Sequence, residues 1–238
     1  MAAPQKRTAH LIEKTNPSTT FYHLKFEVDV DMDEPEIFMF EPGQFVALRV
    51  DEHKVNDYSI ASLPYENKFE LIIDIKPGHE GSYFVKEIQE GDKVEFIGPV
   101  GSFKYHPDDG AEEIVLLATG SGIAPIKSIT EHLLWRAHDT RPIHVYFGLR
   151  TCSDIFLHDY FQEEMSKYPN LSFTPCLSRP DNTWGGDCGH ITDLLAKHYQ
   201  DGSKLAAYMC GNKLMIEQTK EVLVKIGTPA NRIYHEAF

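Results

Sequence analysis

The pattern of apolar and polar positions changes near residue 110. Before that point, short segments alternate in polarity, as in residues 23–28 (HLKFEV) and 68–76 (KFELIIDIK), and residues that favour turns separate them. Alternation with a period of two is typical of strands that are buried on one face. We predict strands at 20–30, 44–50, 68–76 and 94–97, arranged as an antiparallel β-barrel.

After residue 110, continuous apolar runs replace the alternation. Residues 114–117 (IVLL) show this best, and such a run indicates a strand buried on both faces of a parallel sheet. The apolar runs alternate along the chain with segments of helical apolar spacing. This alternation predicts a parallel sheet with helices on both faces. The predicted strands are 114–118, 143–148, 171–177 and 206–210, and the predicted helices are 125–136, 156–168, 191–199 and 213–226. We therefore predict an N-terminal antiparallel β-barrel, residues 1–108, followed by a Rossmann-like α/β domain, residues 109–238.

A glycine turn joins the first apolar strand of the second half to its first helix. The sequence there is GSGIAP, residues 120–125, and Pro125 suits a first helical turn. Glycines at such a place let the backbone approach an anion, and the N-terminus of a helix favours a phosphate. A tight turn without a ligand would give the same short pattern, so the motif gains its meaning from the rest of the chain.

Composition and charge narrow the possible partners. The chain has 238 residues, 42% of them hydrophobic, and no apolar run long enough for a membrane span. Residues 1–110 contain 21 Asp and Glu but only 11 Lys and Arg, a net charge of −10 out of −13 for the whole chain. An acidic first half makes nucleic acid an unfavourable partner, because phosphate binding needs Lys and Arg.

Cysteine and histidine usage favours a cytoplasmic protein without a metal site. The four cysteines, at 152, 176, 188 and 210, form no Cys-x-x-Cys pair, and the twelve histidines are scattered. Neither zinc nor an iron–sulfur cluster is expected from this spacing. The first ten residues contain no apolar core of a secretion signal, and free cysteines fit a reducing compartment.

Short motifs along nearly the whole chain follow the order found in one family. In this order and spacing the sequence resembles the ferredoxin–NADP reductase superfamily of flavin-dependent NAD(P)H oxidoreductases. The motifs are PGQF at 42–45, DYSIAS at 57–62, GSYF at 81–84, GD at 91–92, GPVGSF at 98–103, GSGIAP at 120–125, SRP at 178–180, CG at 210–211 with Met215, and EAF at 236–238.

The resemblance implies FAD on the barrel and a nicotinamide nucleotide on the α/β domain. Tyr58 would lie against the flavin ring, Ser59 would hydrogen-bond near flavin N5, and residues 81–82 would meet the FAD pyrophosphate. The implied flavin-binding residues are Asn56, Tyr58, Ser59, Ile73, Ile75, Lys76, Gly81, Ser82, Tyr83 and Phe238. An ordinary strand pair and a helix cap are the alternatives for residues 58–59 and 81–82.

Asn56 departs from the family pattern, which usually has Arg at this place to pair with the pyrophosphate. The substitution removes a charge-assisted contact of about 1.5–3 kcal/mol, and Asp51, Glu52 and Asp57 nearby add no compensation. Lys54 or Lys76 could replace part of it. We therefore expect FAD to be held more weakly than is usual, or FMN to be preferred.

On the nucleotide side, the resemblance implies that residues 120–125 face the pyrophosphate and that residues 178–179 read the adenosine ribose. The implied residues are Thr119, Gly120, Gly122, Ile123, Pro125, Ser178, Arg179, Cys210, Gly211 and Met215. Either NADH or NADPH is expected. The carboxylates of Asp181 and Asp187 favour NADH, because they would repel a 2′-phosphate.

The implied catalytic residues are Ser59, Cys210 and Glu236. Cys210 would leave room beside nicotinamide C4, and Glu236 would act by general acid–base chemistry on the flavin. Phe238 would cover the flavin face that the nicotinamide must reach. A small buried thiol and an aromatic that merely packs are the alternatives for Cys210 and Phe238.

The sequence is therefore interpreted as an NAD(P)H-dependent flavoprotein reductase. Hydride would pass from the nicotinamide to the flavin, and electrons would leave to a separate acceptor, either a ferredoxin, a flavodoxin, an oxygenase component or free flavin. Two alternatives stay open: a reductase that treats free flavin as its substrate, and a non-catalytic electron-transfer subunit of a larger complex.

Overall fold

Two six-stranded sheets form the protein, one antiparallel and one parallel. The structure is a computed structural model that describes residues 4–30, 37–64, 66–75, 80–107 and 109–238. The strands are β1 (Gln5–Thr15), β2 (Phe21–Val28), β3 (Phe45–Arg49), β4 (Val55–Ser59), β5 (Lys68–Asp74), β6 (Lys93–Val100), β7 (Glu113–Thr119), β8 (Ile143–Leu149), β9 (Leu171–Leu177), β10 (Asp187–Cys188), β11 (Leu205–Gly211) and β12 (Ile233–Ala237). The helices are α1 (Glu80–Glu87), α2 (Ile123–Glu131), α3 (His158–Lys167), α4 (Ile191–His198) and α5 (Lys213–Lys225).

The first sheet curls into a near-closed barrel, as the alternating pattern predicts. Its order is β4-β3-β6-β1-β2-β5, all antiparallel, and a bridge between Ile60 and Leu71 brings the two edges together. The interior is rich in aromatic side chains, among which Phe38, Phe69 and Phe96 pack edge to face or at a tilt. The barrel half of the predicted fold is confirmed.

The second sheet is parallel, with the order β10-β9-β8-β7-β11-β12. Its central strand β7 carries the apolar run of the sequence, and residues 114–118 are fully buried on both faces. Consecutive connections leave β7 toward β8 on one side, while β11 lies on its other side. The strand order therefore reverses between β7 and β11, which is where such sheets bind ligands, beyond the carboxyl ends of the strands.

The two sheets share one apolar core. A cluster around β7, β8 and α2 includes Phe21, Ala61 and Ile72 from the barrel half. It also includes Phe103, which follows β6 in the connection between the sheets. The predicted boundary between residues 108 and 109 falls in this connection and stays a prediction.

Some predicted element ends are wrong. Helix α2 begins at Ile123, two residues before the predicted start, because the turn Gly120–Gly122 is itself a 3₁₀ turn that runs directly into it. Residues His132–Arg136 continue α2 as a wider π turn. Helix α3 begins at His158 and not at 156, because Leu157 has a left-handed backbone with φ 59°.

Four strands were not assigned from the sequence: β1, β4, β10 and β12. Strand β1 is rich in charged residues and buries only Ala9 and Leu11 fully, so its alternation is faint. Strand β10 has only two residues, and β4 is largely polar. Strand β12 is short, and it is held in place by parallel pairing with β11.

Candidate functional site

The glycine turn after β7 lies at the reversal point of the parallel sheet. Gly120 has φ +58° and open space around the position of a Cβ, whereas Gly122 packs tightly. A Cβ on Gly122 would lie 2.2 Å from the carbonyl oxygen of Cys210, so only glycine fits at this contact with β11. The turn therefore exposes backbone on one side and presses against the end of β11 on the other.

A cleft of about 710 Å³ opens in front of this turn, within the usual size range of cofactor sites. It is bounded by both halves of the molecule, since Thr20, Phe21 and Ile75 line it from the barrel side. The predicted site residues that line it are Ile75, Thr119, Gly120, Ser178, Met215 and Phe238. We call it the nucleotide cleft.

Ser59, Cys210 and Glu236 come together at the meeting of the two sheets. The Ser59 hydroxyl donates to Glu236 Oε2 at 3.4 Å, and Glu236 pairs with Cys210 in the register of β12 and β11. These residues lie up to 177 positions apart in the chain. The predicted catalytic set is therefore brought to one place, and its catalytic role stays a prediction.

The protonation states of this group follow from its surroundings. Burial raises the pKa of Glu236 to about 7, and the charge of Asp57 adds to the increase, while the hydrogen bond from Ser59 opposes it. Burial also raises the pKa of the Cys210 thiol far above its usual range, and the Glu236 charge adds to this. Near neutral pH the thiol is uncharged, and Glu236 is divided between its two forms.

A second cleft, of about 290 Å³, lies on the barrel near α1; we call it the flavin cleft. Predicted residues that line it are Asn56, Tyr58, Ile73, Gly81 and Ser82. Asn56 Nδ2 donates to the Tyr58 hydroxyl at 3.3 Å, and a Cβ on Gly81 would lie only 2.5 Å from that hydroxyl. Burial raises the pKa of Tyr58, so the phenol is neutral and the cleft offers uncharged polar groups.

Charged side chains also border the flavin cleft. Lys54, one of the two cations that the sequence offers as a replacement for the usual Arg, lines it together with Asp57 and Asp74. The other candidate, Lys76, lies outside the described residues. The field at this cleft is therefore mixed, with one lysine and two carboxylates in its lining.

Two aromatic residues predicted to contact flavin are solvent-exposed. Tyr83 on α1 is 62% exposed and Phe238 is 59% exposed, so both rings are accessible from solvent. The Phe238 N–H donates to Gly211 O at 3.2 Å, which anchors the backbone while the ring stays accessible. Such rings suit contact with a planar ligand.

Two predicted nucleotide-site residues have their side chains in the core. Ile123 and Pro125 are buried at the start of α2, and neither lines the nucleotide cleft. Their part in the motif is to start the helix in the correct place behind the glycine turn. Gly211 is packed against Thr119, where a Cβ would lie 2.1 Å from Thr119 Oγ1.

Arg150 and Asn212 line the nucleotide cleft and were not predicted. The Arg179 N–H donates to Arg150 O at 2.7 Å, so two exposed arginines stand at the ends of β9 and β8. Asn212 caps α5 through Met215 N at 2.9 Å and also donates to Thr119 Oγ1 at 3.3 Å. An Asn before a helix is a common N-cap, so Asn212 had a local signal, whereas Arg150 is placed by strand pairing.

Trp184 packs on its own turn. Its indole N–H donates to Asp187 O at 2.9 Å, and its ring lies against Gly186. Packing within this turn therefore accounts for its contacts. The described part of the chain contains no group of three or more His, Cys, Asp or Glu side chains placed to hold a metal ion.

Comparison with known proteins agrees with this geometry. The model of the oxidoreductase FAD-binding domain matches residues 8–105, and that of the oxidoreductase NAD-binding domain matches residues 116–221. The fold and the two clefts thus define an FAD- and NAD-binding oxidoreductase module. The chain belongs to the ferredoxin–NADP reductase superfamily.

Relatives include reductase components of bacterial oxygenase systems. The propane 2-monooxygenase reductase component of Mycolicibacterium smegmatis is 30% identical over 215 residues, covering 86% of this chain and 61% of the relative. The reductase component of the naphthalene 1,2-dioxygenase/salicylate 5-hydroxylase systems of a Ralstonia species is 28% identical over 200 residues, covering 84% of this chain and 60% of the relative. This chain therefore spans about three fifths of the length of these relatives.

A solved structure extends the similarity to the whole described fold. The crystal structure of an Amycolatopsis cytochrome P450 reductase superposes with a TM-score of 0.89 at 27% identity, covering 99% of this chain and 70% of that one. Among the residues that the structure describes, no helix combines the length and the apolar character that crossing a bilayer requires.

Proposed function

We propose that this chain is an NAD(P)H-dependent flavoprotein reductase that passes electrons to a separate acceptor. The observation that carries the proposal is the position of Ser59, Cys210 and Glu236, which combine groups from both halves of the molecule where the sheets meet. A group assembled in this way can act on two ligands at once, one held by each half.

The flavin cleft fits FAD at its polar end. Gly81 leaves the space beside the Tyr58 hydroxyl free, since a side chain there would collide with the phenol. Ser82 is the third residue of α1 and lies in its first turn, where N–H groups favour an anion. The residues proposed to hold the flavin are those that line this cleft together with Ser59, Ile75, Lys76, Tyr83 and Phe238.

The nucleotide cleft fits a dinucleotide at the glycine turn. The backbone of Gly120 and Ser121 is accessible after β7 and precedes the first turn of α2, so its N–H groups can meet a pyrophosphate. Ser178, Arg150 and Arg179 stand farther along the same sheet edge, where they would meet the adenosine ribose. We propose NADH or NADPH as the ligand.

A bound flavin would supply hydride acceptance at N5 and onward electron transfer. The protein itself would orient the two ligands and would hold or release a proton. The small, uncharged Cys210 side chain leaves room without introducing charge beside the nicotinamide. Glu236, with a pKa of about 7, can hold or release a proton at physiological pH, and the Ser59 hydroxyl keeps its carboxylate oriented.

Phe238 must change position for both ligands to act. Its ring is exposed beside the nucleotide cleft, while its backbone is tied to β11. Rotation of the side chain alone can therefore clear the flavin face without unpairing β12. We propose this side-chain movement as part of the turnover.

The acceptor is proposed from the relatives. Those named above are reductase components of oxygenase systems, so an oxygenase component or an electron-transfer protein such as a ferredoxin or a flavodoxin is the proposed acceptor. We also propose a cytoplasmic location, supported by four cysteines that are all free thiols.

One observation favours a second candidate, a reductase that uses free flavin as its substrate. Asn56 replaces a charged anchor and is already engaged with Tyr58, so the flavin cleft is a weaker anion site than an arginine would make it. A flavin that dissociates readily would behave as a substrate.

A visible absorption spectrum of the purified protein, before and after anaerobic addition of NADH or NADPH, tests the proposal. Bound yellow flavin that bleaches supports the flavoprotein reductase. Colourless protein that reduces only added flavin supports the second candidate. Colourless protein that reduces neither bound nor added flavin with either nucleotide would overturn both proposals.

A further inference from the structure

A buried lysine links the two halves behind the site. Lys127 lies on α2 and is 5% exposed, and its Nζ reaches Glu131 Oε1 of the same helix at 2.6 Å. The same Nζ also reaches two acceptors of the barrel half, Glu70 Oε2 at 3.3 Å and Ala61 O at 3.0 Å. A charge is costly to bury, so three acceptors around one ammonium indicate a specific structural use.

The neighbouring residue repeats the contact. The Ser128 hydroxyl donates to Ser62 O at 2.7 Å, so consecutive residues of α2 hold the consecutive carbonyls of Ala61 and Ser62. The barrel holds the same segment from its other side, because Ala61 N donates to Glu70 O at 2.8 Å. The segment that accepts these bonds begins directly after Ser59 and Ile60.

The glycine that precedes α2 contacts the strand that carries Cys210. Gly122 precedes the helix and is pressed against the carbonyl of Cys210, with no space for a Cβ. Lys127 is five residues farther along, about 7.5 Å at 1.5 Å per helical residue. One short helix therefore contacts the strand end that carries Cys210 and the segment that follows Ser59.

Further partners keep the charges around Lys127 in place. Glu131 Oε1 accepts from the Tyr160 hydroxyl at 2.9 Å, and Glu70 Oε2 lies 3.1 Å from His23 Nε2. Although burial opposes it, the two carboxylates raise the pKa of Lys127, so the ammonium stays charged. The cluster is satisfied on all sides that the described contacts record.

We propose that Lys127 and Ser128 are positioning residues that fix the distance between Ser59 and the Cys210–Glu236 pair. They do so by fastening α2 to the Ala61–Ser62 carbonyls. The geometric part stands on the contacts above, and its catalytic consequence rests on the proposed reductase function. A plain contribution to stability is the competing explanation, and it predicts no change in the geometry between the halves.

The first test measures that geometry in the protein as purified. Ketone-bearing residues for spin labelling replace Ile97 on β6 and Val224 on α5, both of which are exposed positions in different halves. Pulsed electron–electron double resonance between the two spin labels should give one narrow distance distribution in the parent protein. Lys127→Met and Ser128→Ala should broaden or shift it.

The matched control is Thr130→Val. Thr130 is buried on the same helix, and its hydroxyl donates within α2, to Ile126 O at 2.8 Å. It should lower stability without changing the distance distribution. If all variants keep the parent distribution, the proposal is wrong.

The second test measures the rate of flavin reduction in a single turnover with excess NADH or NADPH. We expect Lys127→Met and Ser128→Ala to slow it by roughly tenfold or more, since small misplacements of reacting groups are costly, and Thr130→Val to leave it near the parent rate. Unchanged rates in both variants would contradict the catalytic part.

The two tests separate the two proposals. If the parent flavin is not reduced by either nucleotide, the proposed function fails, while the distance measurement still decides the role of Lys127 and Ser128. If Lys127→Met does not fold, the double variant Lys127→Met/Glu131→Gln removes both charges of the shorter of the two ion pairs of Lys127. Ser128→Ala removes one neutral hydrogen bond and needs no such rescue.

Discussion

Two partly buried glutamates stand where the halves of the molecule meet, and their pKa values are shifted in opposite directions. Glu236 faces a neutral hydroxyl, and burial raises its pKa to about 7. Glu70 is also buried, but the hydrogen bond from His23 and the charge of Lys127 outweigh burial and lower its pKa to about 2. Burial alone therefore does not set the charge state of a glutamate. The charge and hydrogen bonds of its partners decide whether its pKa rises or falls.

The difference separates a site that can exchange protons from a site that holds its shape. Glu236 is divided between two protonation states near pH 7, which suits a proton donor or acceptor. Glu70 stays ionised over the whole physiological range and keeps its ion pair. The same type of side chain is thus suited to proton exchange at position 236 and to fixed geometry at position 70.

Removing the cation beside Glu70 should have the largest effect on stability. Lys127→Met leaves Glu70 and Glu131 without their ammonium, so we expect the free energy of unfolding at pH 7 to fall by about 3–5 kcal/mol. Urea unfolding measures it. Lys197→Met, on the exposed side of α4, is the control and should change stability by less than about 0.5 kcal/mol. A loss of that small size for Lys127→Met would contradict the comparison.

Replacing the titratable carboxyl group of Glu236 should mainly lower turnover. Glu236→Gln keeps the shape and the contact with Ser59 but loses the exchangeable proton, so we expect kcat to fall about a hundredfold. The remaining activity should lose its pH dependence near 7. The measurement is steady-state NADH or NADPH oxidation with an artificial acceptor between pH 5.5 and 8.5.

Asp57→Asn is the matched control for that profile. It removes a charge that helps to raise the pKa of Glu236, so the midpoint of the pH dependence should move down while turnover persists. A profile unaffected by both variants would mean that Glu236 is not the titrating group.

The sequence predicts the strands and turns around these two glutamates better than it predicts the contacts that set their pKa values. The unbroken apolar run of β7 and the glycine turn indicate the place of the nucleotide cleft. Lys127, however, stands among helical apolar positions such as Ile126 and Ile129 and has no local mark of burial. It is buried only because α2 lies between the two sheets, which is a tertiary effect.

The pairing of Ser59 with Glu236 is also beyond local patterns. The family resemblance brought these residues together, but strand β12, which carries Glu236, was not assigned from its five residues. Parallel pairing with β11 fixes it, and such pairing depends on a strand more than twenty residues away. Arg150 was missed for the same reason, since its neighbour Arg179 comes from the next strand.

Adding a cation to the flavin side should make it resemble the surroundings of Glu70. Asn56→Arg adds a second cation to the flavin cleft, beside Lys54, and we expect FAD to bind about 10- to 100-fold more tightly, the equivalent of about 1.5–3 kcal/mol. Fluorescence titration of flavin-free protein measures the Kd. Asn56→Gln, which adds length but no charge, should leave the Kd within a few-fold, and equal tightening by both would exclude charge as the cause.

The pH dependence of stability should give the smallest and sharpest contrast. A raised pKa means that the folded state binds more protons, so the contribution of Glu236 is full below about 4.5 and is lost as the pH rises through about 7. A lowered pKa works in reverse, so the contribution of Glu70 is present above about 4.5 and is lost as the pH falls toward 2.

Urea unfolding of Glu236→Gln and Glu70→Gln, compared with the parent protein from pH 4 to pH 8, tests this contrast. Relative to the parent, Glu236→Gln should gain stability as the pH rises from 4.5 to 7. Glu70→Gln should show its greatest loss near neutral pH and a smaller loss at pH 4. Parallel curves for the two variants would mean that the two carboxyl groups do not differ as described.

The apolar core that runs from one sheet into the other also affects how the two halves unfold. Phe21, Ala61 and Ile72 of the barrel bury their surface against β7, β8 and α2, so a chain cut between the halves would expose that surface on both fragments. We therefore expect the two halves to unfold together in one cooperative transition, and not one after the other.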